Sequence, residues 1–196
     1  MKILIACEES QTVCKAFRAL GHEAFSCDIL PCSGGHPEWH IQGDVLNHIN
    51  EGWDLMIAHP PCTYLTNAGA VHLYKPKGVL NEERLKKGII ARDFFMALLN
   101  APIPKIAVEN PIPSTVFMMP PYTQTIQPYE HGHPLSKKTC LWLKNLPNLE
   151  PTKIVTERQS TKVPGNWFNK GGKQRQINRS KTFQGIADAM AKQWGT

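Results

Sequence analysis

A chain of 196 residues, 41% hydrophobic and 19% charged, suffices for one globular domain with an ordinary core. No apolar run approaches the roughly 20 residues of a membrane span, and the composition excludes a coiled coil, a disordered tail protein and a secreted disulfide scaffold. The net charge of +6 is unevenly placed: residues 1–150 carry 13 basic and 14 acidic side chains, residues 151–196 carry 9 and 2. That asymmetry points to an acidic partner, nucleic acid first, against the plainer reading of a solvated basic tail.

Lys2 to Cys7 reads as a buried strand and not as a signal peptide, since Glu8 and Glu9 follow at once. Val13, Phe17 and Leu20 predict a helix over 11–20, stopped by Gly21. His22 to Cys27 is a second strand ending at Asp28, and Trp53 to Ala58 a third, entering the Pro60-Pro61 turn. Over 81–99 the apolar positions Leu85, Ile89, Ala91, Phe94, Phe95, Leu98 and Leu99 predict a long amphipathic helix with a wide apolar stripe. Lys105 to Val108 is a short strand ending at Glu109-Asn110-Pro111, Thr139 to Leu143 a later strand, and Asp188 to Trp194 a terminal helix. The stretches 66–79 and 146–179 read as loops, given Gly69, Pro76 and Gly78 in the first and Pro147, Pro151, Pro164, Gly165 and Gly171-Gly172 in the second.

Alternating strands and helices imply an α/β domain with a mainly parallel sheet flanked by helices. Residues 1–196 read as a single domain, with 146–179 a short basic insertion. In such sheets ligands sit beyond the carboxyl ends of the strands, which singles out Cys7 to Ser10, Asp28, His59 to Cys62 and Glu109 to Pro111. Six cysteines (Cys7, Cys14, Cys27, Cys32, Cys62, Cys140) are too sparse and irregular for a disulfide framework, which favours a reducing cytosol.

The sharpest motif is His59-Pro60-Pro61-Cys62. Two prolines fix φ and remove two backbone donors, making a rigid loop at a strand end. A cysteine held just after them is placed to act as a nucleophile, provided the site lowers its pKa or supplies a base; the alternative is a structural turn with a buried thiol. Glu109, also at a strand end, is a candidate acid or simply a loop carboxylate. The two together suggest pyrimidine chemistry. A thiolate attacks carbon 6, a protonated Glu at ring nitrogen 3 stabilises the charge, and carbon 5 then accepts an alkyl group.

These residues resemble the DNA cytosine-5 methyltransferase family, in a compact, phage-type form with a reduced target-recognition region. Pro60, Pro61 and Cys62 are in register with the family's catalytic loop, and Thr66 stands where the family usually has Ser. Glu109-Asn110 is similar to its Glu-Asn motif, with Pro111 for the usual Val. Gly43-Asp44-Val45 is similar to its Gly-Asp-Ile segment. Asp28, with Ile29 beside it, stands where an acidic residue binds the cofactor ribose. Residues 182–194 resemble the last motif. The resemblance implies a Rossmann-like S-adenosyl-L-methionine-dependent methyltransferase fold and methyl transfer to carbon 5 of cytosine in DNA, duplex or single-stranded. It implies Cys62, Glu109, Asn110, Pro60, Pro61 and Thr66 as catalytic, and Cys7, Glu8, Asp28, Ile29, Asp44, Val45, His59 and Pro60 as cofactor-binding. With the hydropathy and cysteine readings above, no membrane and no metal are expected, no obligate protein partner is inferable, and the place is the cytoplasm, or the host cytoplasm for a phage protein.

Three departures stand out. The first loop, Cys7-Glu8-Glu9-Ser10-Gln11, has no glycine where the family is glycine-rich. Lys137 and Lys138 stand where the family has Arg, a residue with a planar fork that Lys lacks. The recognition region shrinks to the basic insertion, where Lys162, Lys170, Lys173, Arg175 and Arg179 can contact phosphates and Trp167 and Phe168 can stack on a base. Alternative substrates are single-stranded nucleic acid, RNA or a cytosine nucleotide; an inactive nucleic-acid-binding protein is a further alternative. Amine methylation is disfavoured, because Cys62 follows Pro-Pro where those enzymes have an aromatic residue, and Tyr64 comes two positions late. Cys32, His36 and His40 have zinc-like spacing on a helix, but Gly34, Gly35 and Pro37 argue against a helix there. Cys27, His131 and His133 could add ligands only through the fold.

Overall fold

The computed structural model describes residues 1–74, 78–160 and 181–196. Its strands are β1 (Lys2–Ala6), β2 (Glu23–Asp28), β3 (His40–Gln42), β4 (Leu55–Ala58), β5 (Lys105–Pro111), β6 (Gln124–Ile126), β7 (Leu135–Ser136), β8 (Thr139–Lys144) and β9 (Gln159–Ser160). Its helices are α1 (Thr12–Arg18), α2 (Asn67–Ala70), α3 (Glu82–Leu99) and α4 (Gln184–Trp194). Seven strands form one sheet in the order β3-β2-β1-β4-β5-β8-β6; β7 and β9 form a separate pair. The five strands from β3 to β5 run parallel, and β8 and β6 close the sheet antiparallel. This is the mainly parallel, helix-flanked, Rossmann-like sheet that the strand and helix pattern predicts. No helix among the described residues is long and apolar enough to cross a membrane.

Both faces of the sheet are covered, which is why β1 and β4 read as unbroken apolar runs. Ile3, Ile5, Leu55 and Ile57 point to one face and pack with Phe17 of α1 and Ile186, Met190 and Trp194 of α4. Leu4, Ala6, Met56 and Ala58 point to the other and pack with Phe95 and Leu98 of α3 and with Trp142. The Trp194 indole N–H donates to the Pro147 carbonyl at 3.0 Å, so its one polar atom is satisfied inside the core.

The structure departs from the sequence pattern in several places. β5 runs on through Glu109, Asn110 and Pro111, because β8 pairs antiparallel along its whole length and matches Glu109 with Leu141 and Asn110 with Cys140. β3 and β6 have three residues each, too few for a period-2 signal. α4 begins at Gln184, one turn before the expected start. β4 begins at Leu55, and Trp53 instead tucks beneath Phe25 with its indole donating to the His48 carbonyl. The expected wide stripe on α3 is short: Phe95 and Leu98 are buried, but Ile89 and Ile90 are 44% and 60% exposed. In the helix's first half Leu85 packs against the core and Gly88 lies against Phe117, so Ile89 and Ile90 turn outward. The stretch read as a loop over 66–79 contains α2, whose N-terminus is capped by the Thr66 hydroxyl.

Candidate functional site

The carboxyl ends of β1, β2, β4 and β5 bring Cys7, Asp28, His59 and Glu109 to one edge of the sheet. The Pro-Pro-Cys loop leaves β4 directly. His59 is anchored by its own N–H, which donates to the Ala6 carbonyl at 2.9 Å. Pro60 is buried, Pro61 exposed and Cys62 half-buried, in no disulfide. The loop is tied to β5 from the side. Asn110 is 1% exposed, and its Nδ2 donates to the Pro60 carbonyl at 3.2 Å. Further along, Ser114 N–H donates to the Leu65 carbonyl at 2.7 Å, and Thr66 pairs with Pro113. The segments after Cys62 and after Glu109 therefore form one unit. Thr66 serves it structurally, accepting from the Gly69 N–H at 3.2 Å. Asn110→Ala would orphan the Pro60 carbonyl. We expect a loss of about 1–2 kcal/mol in denaturant unfolding and a larger fractional loss of activity than of stability.

Glu109 faces back toward this loop. Its Oε2 lies 3.3 Å from His59 Nδ1, with side-chain exposures of 21% and 7% respectively. Burial pushes the Glu109 carboxyl up, but the His59 hydrogen bond, the Lys137 ammonium and the Thr139 hydroxyl outweigh it and hold the group below the usual carboxylate range. The pair lines a small cleft together with Phe183, Ile186 and Met190 around the start of α4 and with Lys137 and Lys181. Lys137 also lies 5.9 Å above the Phe183 ring.

Burial pushes the thiol of Cys7 far up, those of Cys14 and Cys27 to about 12 and that of Cys140 to about 11. Those four stay protonated at neutral pH, whereas only a thiolate is a competent nucleophile. Cys32 is engaged with the Gln11 side-chain carbonyl at 3.1 Å. Cys62 is half-buried on the loop that follows β4 directly after Pro60 and Pro61.

At the other end of the edge the loop after β1 turns without glycine. Cys7 and Gln11 both adopt left-handed φ, 59° and 58°, an uncommon conformation for such residues. The Glu8 carboxylate is turned inward and accepts from the amides of Val13 (2.7 Å) and Cys14 (3.2 Å) at the start of α1. It is 5% exposed, so it shapes this loop and does not present a charge to a ligand. Gln11, fully buried, fastens the 32–36 loop: it donates to the His36 carbonyl and accepts from His36 N–H. Asp28 and Asp44 each spend Oδ1 on a local amide, that of Leu30 (2.9 Å) and Leu46 (3.0 Å). Both charges reach the Cys7 thiol, so they share one neighbourhood. Ile29 beside Asp28 is 73% exposed, while Val45 beside Asp44 is 3% exposed and belongs to the core.

Cys32, His36 and His40 do not converge on a common point. His36 Nδ1 meets Glu38, and His40 meets the Ser26 hydroxyl and the Leu30 carbonyl. Among the described residues no group of three or more His, Cys, Asp or Glu is placed to hold a metal ion. Lys137 and Lys138 lie on the turn between β7 and β8. Lys162, Trp167, Phe168, Lys170, Lys173, Arg175 and Arg179 lie outside the described residues. The resemblance groups His59 with the cofactor residues; its ring meets Glu109, fifty positions away, and the pairing of β4 with β5 brings the two together. Thr139, Lys181 and Phe183 were missed for the same reason.

No protein-family model matches the chain, and no curated protein matches it by sequence. Among solved structures, one similar to it is of a protein provisionally described as a DNA modification methyltransferase encoded within an E. coli prophage. The TM-score is 0.47 and the identity 13%, over 79% of this chain and 52% of that one. The chain thus spans about half the length of that protein, and the function is argued from the residues of this chain.

Proposed function

We propose that this chain transfers a methyl group from S-adenosyl-L-methionine to carbon 5 of cytosine in DNA through a covalent Cys62 adduct. The observation that carries the reading is the Asn110–Pro60 hydrogen bond, which locks the Cys62 loop to the strand bearing Glu109. A nucleophile and a carboxyl group fixed on neighbouring parallel strand ends can address two atoms of one planar ring.

The residues at the β1–β2–β3 corner fit the cofactor. Among the described residues, Oδ2 of Asp28 and of Asp44 has no hydrogen-bond partner, and such carboxylates suit ribose hydroxyls and an adenine amine. The exposed Ile29 offers the purine an apolar surface. When bound, the cofactor supplies an electrophilic methyl group. Cys62 Sγ bonds to carbon 6, and the electron pair of the 5,6 double bond shifts to carbon 5. Glu109 holds nitrogen 3 and the exocyclic amine, so the charge generated by attack is met by a proton. Once carbon 5 is methylated, its proton leaves to water, Cys62 is expelled and the double bond returns. A cytosine in a duplex must first be flipped out. Lys137 and Lys181 of the cleft, with the excess positive charge of residues 151–196, suit a phosphate backbone.

The test is nucleoside mass spectrometry after incubation with S-adenosyl-L-methionine and duplex or single-stranded DNA. A 5-methylcytosine peak is expected, and no modified base on either substrate overturns the reading. Asp28→Ala and Asp44→Ala should each weaken cofactor binding by about 10- to 100-fold, the worth of a hydrogen bond to a charged group, measured by calorimetry without DNA.

A further inference from the structure

We infer that His59 and Glu109 act as a proton-sharing pair, in which His59 supplies through Glu109 the proton that the attacked ring takes at nitrogen 3. The inference rests on the methyl-transfer reading and adds a residue to it.

The reaction needs a proton at nitrogen 3, and the surroundings of Glu109 remove the one it would carry. With His59, Lys137 and Thr139 all favouring the anion, the carboxylate reaches the substrate without a hydrogen to donate. Thr139 is too weak an acid to supply one, and an ammonium such as Lys137 releases its proton only well above neutrality. His59 is the contacting side chain whose ordinary titration lies near neutral pH. It is held there by design of the chain: its backbone is pinned to β1, Pro60 and Pro61 fix the direction of the chain leaving it, and its Nδ1 points at Glu109 Oε2.

A histidine kept only for packing satisfies both ring nitrogens. Here Nε2 is buried with no hydrogen-bond partner among the described residues. Acidic and basic groups surround the ring. Glu109 lies on one side. The buried Glu8 also feels the ring, but burial dominates and pushes its carboxyl up. Lys137 and Lys181 line the same cleft, and the Lys137 charge acts on Glu109. In the proposed cycle the ring starts as an imidazolium against Glu109.

As Sγ bonds to carbon 6, the Nδ1 proton passes to the Glu109 carboxylate and from it to nitrogen 3. His59 is left neutral and Glu109 anionic. Before Cys62 is expelled, the nitrogen 3 proton returns by the same path, so the pair is restored each turnover.

The experiment measures the rate of Cys62 adduct formation against pH, using single-stranded DNA carrying 5-fluorocytosine with S-adenosyl-L-methionine present. Fluorine at carbon 5 cannot leave as the proton does, so the adduct accumulates. For the wild type we expect a bell: a fall at low pH as Cys62 protonates, and a fall at high pH as His59 loses its proton. His59→Gln can still donate a hydrogen bond to Glu109 but has no proton to give. We expect a loss of about 100-fold and disappearance of the high-pH fall. A wild-type profile with no high-pH fall overturns the inference, as does a His59→Gln profile that keeps the wild-type shape at reduced height. The first of these needs no variant to fold. No Cys62 adduct in the wild type at any pH overturns the methyl-transfer reading itself.

Discussion

Cys62→Ala should reduce methyl incorporation to background, a fall of about 10⁴-fold or more, as when the nucleophile of a covalent mechanism is removed. The protein around it should barely respond. Cys62 belongs to neither core cluster and lies half-exposed on its loop, so unfolding free energy should change by no more than about 0.5 kcal/mol. Cofactor binding should be retained, because Asp28 and Asp44 sit on the β2–β3 side of the edge, away from the loop after β4. Four of the other five cysteines cannot substitute. Cys7, Cys14, Cys27 and Cys140 are held as thiols by burial. Intact-mass detection of the protein–DNA adduct, beside a denaturation curve, measures both halves. Activity above about 1% of wild type would remove Cys62 from the mechanism.

The parts of this molecule that were legible in the sequence are those whose physics is local. β1 and β4 lie buried on both faces, and that environment writes a continuous apolar run. Prolines 60 and 61 declare a rigid strand exit at their own positions. What stayed hidden depends on strand order. Asn110 on Pro60 and His59 on Glu109 each span fifty positions, and both arise because β4 and β5 are neighbours. The absent glycines in the first loop could be seen. The solution could not: two left-handed residues and an inward glutamate that occupies the first amides of α1. On α3 the periodicity gave the correct face with one position too many: Phe95 and Leu98 are buried and Leu85 packs against the core, but Ile89 turns outward beside the buried Gly88, a residue that an apolar count passes over.

Gly185→Ala should destabilise the fold by about 3 kcal/mol, the upper range for overpacking a tight site, and lower Tm by about 10 °C for a chain of this size. The sign is the informative part, since Gly to Ala within a helix ordinarily gains up to about 1 kcal/mol. Here a Cβ would fall well inside contact distance of the His131 carbonyl oxygen and close to His133 Nε2. Neither can give way easily. His131 is 3% exposed, and its loop is tied down by Gly132 N–H on the Lys153 carbonyl at 2.8 Å. Burial holds the His133 imidazole below its ordinary pKa, so at neutral pH its Nε2 is an acceptor and takes the Gly185 N–H at 3.0 Å. The helix must therefore move, and its next turns carry Ile186, Met190 and Trp194 against α1 and the sheet. Phe183, Ile186 and Met190 also line the cleft with Glu109, so the shift should lower kcat at temperatures where the variant is still folded. Thermal melts and initial rates at 20 °C check the two effects separately. A rise in Tm would mean that α4 stands farther from the His131 loop than this close approach requires.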